Sequence, residues 1–239
     1  MRELEDLSWF PAALRDFQTG SIGFLVTRFR VYDAFVVYLR TLSLTRQPMW
    51  DLCSGSGEAA ISIFKGSGRF TALTLSDKFP NKAALRDGRS THVPRPVDVL
   101  DMRFERGTCY TMFNALHHFS DAEKLGIAQR IQESGATAFF VEVLEPRASC
   151  LLKVLFVTVA GTLLLTPFVR PFSFWRLFFT YILPVNLFTI PFDGIVSVLR
   201  SRSAQHYQAL FTSAHPAIQV HRLKNGRSPL IVIRIHSNP

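Results

Sequence analysis

Met49-Trp50-Asp51-Leu52-Cys53-Ser54-Gly55-Ser56-Gly57 decides how this chain is read. An apolar run ends in an acid, a short glycine-bearing loop follows, and residues 58–64 then take up a helical pattern. Strand, glycine loop, helix is the order by which α/β folds build a nucleotide site at the carboxyl end of their first strand. Glycine lets a ligand approach the backbone closely, and the helix start presents free N–H groups. The spacing Asp51-x-x-x-Gly55-x-Gly57 differs from the G-x-G-x-x-G of dinucleotide loops, and no Gly-Lys-Ser/Thr of a Walker loop is present.

Working outward, residues 70–77 form a second apolar strand ending in Asp77, about 20 residues on, where an acid accepts hydrogen bonds from ribose hydroxyls. Residues 96–101 place Asp98 and Asp101 near the end of a third strand. Residues 108–114 form a fourth, ending at Asn114, and residues 138–146 a fifth, carrying Glu142 and ending at Glu145-Pro146. Alternation of these strands with helical stretches predicts an α/β fold with a doubly wound, mainly parallel sheet. Residues 204–215 read as a last helix. Residues 217–223 and 230–236 read as a hairpin around an Asn225-Gly226 turn. Upstream, residues 1–45 read as helical. Residues 7–17 are amphipathic with Pro11 near a helix start, and residues 28–44 carry one apolar face.

This series resembles the class I S-adenosylmethionine-dependent methyltransferases. The matching residues are the Asp51–Gly57 loop, Asp77, Val97-Asp98-Val99, and Asn114-Ala115-Leu116-His117-His118-Phe119. The resemblance covers residues 45–147, and residues 217–236 supply the closing hairpin. It implies a seven-stranded Rossmann-like sheet with S-adenosylmethionine as cofactor and N-terminal helices over the cofactor site. By the same resemblance Asp51, Cys53, Ser54, Gly55 and Gly57 hold the methionine end, and Asp77, with Lys78 beside it, holds the ribose. Asp98 and the Val99 amide hold the adenine, with Asp101 as an alternative, and Asn114 stands beside the sulfonium. Cys53 occupies a place where the commonest loop has glycine. The whole chain also looks like a bacterial branch with Trp9-Phe10-Pro11, Leu14-Arg15-Asp16, and an apolar insert ending in Asp193-Gly194-x-Val196-Ser197-x-Leu199-Arg200.

That insert is the second informative feature. Of 22 phenylalanines, many crowd into residues 150–200. Residues 150–169 carry one charge, Lys153, and reach the ~20 apolar residues a bilayer span needs. Residues 177–192 are shorter and broken by Pro184 and Pro191, which suits a re-entrant or interfacial element. The strand before the insert and the hairpin after it share one sheet, so the insert must return to its own side of any membrane. Basic Arg147, Lys153, Arg170, Arg176, Arg200 and Arg202 suit an anionic cytoplasmic leaflet, with Trp175 and Tyr181 as interfacial anchors. The competing reading is a buried helical hairpin or a dimer face. The domain reading is a helical cap (1–45), a cofactor-binding domain (46–149 with 203–239), and a membrane-associated insert (150–202).

Net charge is +9, which would suit nucleic acid or an anionic membrane. The basic residues are spread out and no Asn-Pro-Pro-Tyr-like motif is present, so no nucleic-acid partner is expected. Cys53, Cys109 and Cys150 form no CxxC pair, which argues for a reducing compartment. The acidic start, Met1 to Asp6, lacks the apolar core of a signal peptide. His92, His206, His215, His221 and His236 are scattered, and no metal is expected.

In methyl transfer the cofactor supplies the reactivity and the protein aligns acceptor and methyl group. An acceptor oxygen of high pKa benefits from a general base, for which His117, His118 and Glu142 are candidates. The alternative is that the His-His pair packs or caps its loop. The expectation is a methyltransferase acting on a hydrophobic small molecule or lipid at a membrane. The alternatives are a membrane-tethered scaffold with a degenerate site and, less favoured, a nucleic-acid methyltransferase.

Overall fold

The computed structural model describes residues 1–81, 88–214, 217–224, 226 and 229–236. Its seven strands are β1 (Gln47–Leu52), β2 (Phe70–Ser76), β3 (Ser90–His92), β4 (Cys109–Phe113), β5 (Thr137–Glu142), β6 (Gln219–Leu223) and β7 (Leu230–Ile235). They lie in the order β3-β2-β1-β4-β5-β7-β6, parallel except for β7, which runs antiparallel to both neighbours. The chain winds outward from β1 to β3, then crosses back to β4. The carboxyl ends of β1 and β4 therefore flank a topological switch point, where open α/β sheets bind ligands.

The strand sequences account for this sheet. β5 reads Thr-Ala-Phe-Phe-Val-Glu and is buried from Ala138 onward, the continuous apolar run of a strand covered on both faces. Side chains alternate across it. Phe140 packs with Leu52, Tyr110 and Met112 beneath α4 (Asp121–Ser134) and α8 (Ala204–Ala214). Phe139 packs on the other face with Phe35 and Leu39 of α2 (Asp33–Thr41) and Ile63 of α3 (Glu58–Ser67).

Local sequence places several boundaries. Ser120 caps α4 reciprocally with Glu123, and Gly135 ends it at φ 72°. The third strand lies earlier than residues 96–101, which form no strand. Pro94 and Pro96 lack the N–H that pairing requires, so the ladder stops at His92. The helical run expected over residues 28–44 is divided. α1 (Ala12–Arg28) ends before Arg30, whose φ of 54° is incompatible with a continuing helix, and α2 begins at Asp33. Asn225 and Arg227 of the expected turn and His215 lie outside the described residues.

The insert forms three helices: α5 (Ala148–Leu165), α6 (Phe174–Leu177) and α7 (Val185–Arg200). A 3-10 turn extends α5 to Phe168, and a π-helical turn extends α6 to Ile182. Phe174–Ile182 and Val185–Arg200 meet at 86°. α5 lies along α7 where Gly194 leaves no room: a Cβ there would sit 2.8 Å from Val154 Cγ1. Asp193 of α7 accepts the N–H groups of Leu4 (2.7 Å) and Glu5 (3.2 Å) and the amide of Gln18 (2.8 Å). The insert is thus fastened to the N-terminal residues and α1 over the carboxyl end of the sheet.

Two arginines expected at a leaflet turn inward instead. Arg176 is buried, donates to the Pro171 carbonyl (2.9 Å) and lies 5.3 Å over the Phe17 ring. Arg200 donates to the carbonyls of His117 (3.1 Å) and His118 (2.7 Å).

Candidate active site

A cavity of about 1210 Å³ opens at the switch point. Cys53, Ser54 and Gly55 form one wall, Asp77, Lys78, Asp98 and Val99 the flank, and Asn114, His117 and His118 the far end. Thr19 and Ile22 of α1 and Ile190 and Gly194 of α7 complete its roof. Ten of the thirteen residues singled out from sequence therefore face one space, and Asp51, Gly57 and Glu142 stand behind it.

The loop turns by unusual backbone geometry. Cys53 (φ 55°), Gly55 (φ 54°) and Gly57 (φ 86°) all lie in the left-handed region. For a residue with a Cβ this costs roughly 1–2 kcal/mol, which explains why glycine suits position 53. Ser54 bridges strands: its hydroxyl donates to the Asp51 carbonyl (2.9 Å) and accepts the Ser76 N–H (3.0 Å). Gly57 precedes the first turn of α3.

Asp51 is buried and accepts the Thr111 hydroxyl at 2.6 Å. Desolvation pushes its carboxyl from 3.8 up to about 8, against the hydrogen bonds from Thr111 and Ser54 and helped by the nearby Asp77 charge. The unfolded chain loses this proton near pH 3.8 and the folded chain only near 8. The stability it contributes is complete below the lower value and is lost as pH rises toward the higher. We expect Asp51→Asn to flatten the dependence of the urea midpoint on pH across this window; parallel curves for both proteins would show that Asp51 ionises normally.

Asp77 is positioned by the loop itself. One oxygen accepts the Gly55 N–H and the other the Phe79 N–H, both at 2.8 Å. Each oxygen keeps a lone pair for a further donor. Lys78 Nζ lies 2.7 Å from Asp98 Oδ2, and Asp98 Oδ1 accepts the Leu100 N–H (3.0 Å). Lys78 is thus directed to Asp98 across the flank. Val99 is buried, with its carbonyl accepting Arg130 (3.1 Å). Asp101 is exposed and lies outside the cavity lining. Asn114 takes φ 50° and holds the Val143 N–H at 3.4 Å.

The histidines sit in an acidic cage. His117 is buried, its Nδ1 3.0 Å from Glu142 Oε2 and its Nε2 3.4 Å from Glu3 Oε1. Burial opposes its charge, but Glu142 and Glu3 on either side prevail and push it up to about 10. Glu142 is fully buried and also accepts the Leu116 N–H (2.8 Å). It therefore orients His117 from behind and lies outside the cavity lining. Glu145 is likewise engaged, by Arg222 (2.9 Å) and Arg147 (3.3 Å). His118 lines the cavity with its side chain 19% exposed, and its Nδ1 lies 3.0 Å from Asp6. Glu3 and Asp6 escaped the sequence reading because their contacts are remote: Asp6 and His118 are 112 positions apart.

No protein-family model matches the chain, and no curated protein matches it in sequence. Solved structures do match it. The plantazolicin methyltransferase BpumL in complex with SAH is similar over 95% of this chain and 96% of its own, with a TM-score of 0.56 at 10% identity. Human N-acetylserotonin methyltransferase in complex with SAM matches 90% of this chain at a TM-score of 0.53 and 16% identity. The mitomycin 7-O-methyltransferase MmcR matches 92% at 0.50 and 14%. This chain spans 55% and 53% of the latter two. It has the fold of the class I S-adenosylmethionine-dependent methyltransferases.

Proposed function

We propose that the chain is an S-adenosylmethionine-dependent methyltransferase whose acceptor is a hydrophobic small molecule or lipid taken up at a membrane. The observation that carries the reading is the shared cavity, in which the glycine loop, Asp77, Asp98 and Asn114 stand in the order a nucleoside–amino-acid cofactor requires. The residues fit that group. The loop backbone approaches it without a Cβ at Gly55, and Asp77 retains lone pairs for two ribose hydroxyls. A volume of about 1210 Å³ exceeds the upper end, ~1,000 Å³, of ordinary ligand pockets and leaves space for an acceptor beside the cofactor. Structural neighbours crystallised with SAM or SAH support this cofactor.

When bound, the cofactor supplies an electrophilic methyl group. The chain's part is to hold and orient. Asp51 and Ser54 fix the loop, Asp77 the ribose, and α1 with α7 exclude water from above. His117, flanked by Glu142 and Glu3, is a poor proton acceptor as the structure stands, which leaves His118 as the histidine placed to meet an acceptor.

The membrane part of the reading rests on the insert. Ala148–Phe168 has a mean hydropathy of 2.1, yet only 17% of its apolar window is buried. Leu152, Phe156 and Leu164 on α5 and Trp175, Ile182 and Phe188 beyond it stand in solvent. Exposed apolar area on this scale marks a membrane or partner surface. We read it as resting on the anionic cytoplasmic leaflet, with Arg147, Lys153 and Arg170 near the headgroups. Incubating the protein with methyl-labelled S-adenosylmethionine and a total lipid extract is expected to carry label into the organic phase. Cofactor binding with no label transferred to any extract would favour a non-catalytic scaffold.

A further inference from the structure

We propose that Glu3, His117 and His118 form a binding site for one divalent first-row transition-metal ion, with zinc as the reference ion, that fastens the N-terminal segment to the end of β4. Ligand geometry carries the assignment. The oxygen and nitrogen atoms these residues offer lie within 4.8 Å of one another. His117 Nε2 is 3.4 Å from Glu3 Oε1, and His118 Nε2 is 3.7 Å from Glu3 Oε2. Zinc bonds of ~2.0–2.1 Å in a tetrahedron separate neighbouring ligand atoms by about 3.4 Å. The groups are therefore already near the spacing that an ion would impose.

The atoms behind the ligands have the arrangement metal sites use. Each metal-bound histidine ordinarily presents its second nitrogen to a carboxylate or carbonyl, which fixes the tautomer. Here both do: His117 Nδ1 meets Glu142 at 3.0 Å and His118 Nδ1 meets Asp6 at 3.0 Å. Both Nε2 atoms are thereby left for the space beside Glu3. Glu3 Oε1 and His117 Nε2 are buried and make no hydrogen bond. They face each other across the 3.4 Å of an ion pair, a gap in which one ion would bond both. Arg200 braces the turn from outside by bonding the carbonyls of His117 and His118. Glu3, His117 and His118 all line the cavity, so an ion held by them keeps a position open toward it, as catalytic zinc sites do. That the open position would receive an acceptor oxygen rests on the methyltransferase reading; the ion site itself does not.

The competing occupant of the same space is a proton on His117. The full-length protein, stripped with chelator and dialysed, is titrated with Zn²⁺ and, separately, with S-adenosylhomocysteine. The expected result is one equivalent of zinc, lost in Glu3→Gln and in His118→Asn. Glu142→Gln keeps the ligands and should weaken zinc ~10- to 100-fold, as removal of such a supporting carboxylate does. Co²⁺ in place of zinc should give the visible d–d band of a four-coordinate nitrogen–oxygen site. Circular dichroism checks that each variant folds, and should Glu3→Gln unfold, the cobalt spectrum of the wild type decides. No zinc bound by the wild type, binding indifferent to Glu3→Gln and His118→Asn, or a cobalt spectrum of the hexaaqua ion would overturn the site. Zinc binding without S-adenosylhomocysteine binding would sink the methyltransferase reading and keep the site; the reverse would do the opposite.

Discussion

Asp77→Ala is expected to abolish measurable S-adenosylhomocysteine binding. The carboxylate accepts the N–H groups of Gly55 and Phe79 and keeps lone pairs toward the cavity. Removing it deletes the acceptor for two ribose hydroxyls and also leaves two loop N–H groups without a partner. Hydrogen bonds to a charged group contribute roughly 1.5–3 kcal/mol each, and 1.4 kcal/mol is tenfold in affinity. Two such bonds correspond to a loss of at least about 100-fold. Calorimetry on wild type and variant checks it, with the urea midpoint showing whether the loop alone has loosened. Unchanged affinity would remove Asp77 from the site.

The combined substitution Leu152→Asp, Phe156→Asp and Leu164→Asp is expected to release the protein from anionic vesicles. These side chains are 66%, 72% and 70% exposed, so the change should leave the fold in place. Each apolar side chain contributes about 1.5–3 kcal/mol when buried, so three together amount to roughly 5 kcal/mol or three orders of magnitude in partitioning. The new charges add repulsion from anionic lipid. Sedimentation with vesicles measures the effect. Equal sedimentation of variant and wild type would defeat the membrane reading and leave the exposed face to another partner. Deleting residues 150–200 is a poorer test, because it also removes Asp193 and Arg200, which hold residues 4–5 and the His117-His118 turn.

The sheet and its cofactor edge were legible because their signals are local. An acid or amide at the end of an apolar run, at Asp51, Asp77 and Asn114, states both a strand and where it stops. The third strand was misplaced because acids at Asp98 and Asp101 looked like another such ending, whereas Pro94 and Pro96 forbid pairing there. The roof of the cavity was hidden for a different reason. Asp193 reaches Leu4 across 189 positions, and no local pattern encodes that contact. One signal was present and could have been used. Asn186, Asp193, Ser197 and Arg200 recur at helical spacing, a polar stripe on an otherwise apolar helix, and three of the four are buried. That stripe marks an inward face and corrects the assignment of Arg200 to a leaflet. Glu142 stood out in the sequence as a candidate base, but its pairing with His117 did not, because the two are 25 positions apart.

Every role proposed for the cavity residues depends on S-adenosylmethionine binding. Detergent-solubilised protein titrated calorimetrically with S-adenosylmethionine and S-adenosylhomocysteine, with NAD as control, tests it most directly. Micromolar, one-to-one binding of the first two and none of NAD is expected. Absence of binding by both, in protein shown to be folded, would contradict it and leave the glycine loop as a structural turn.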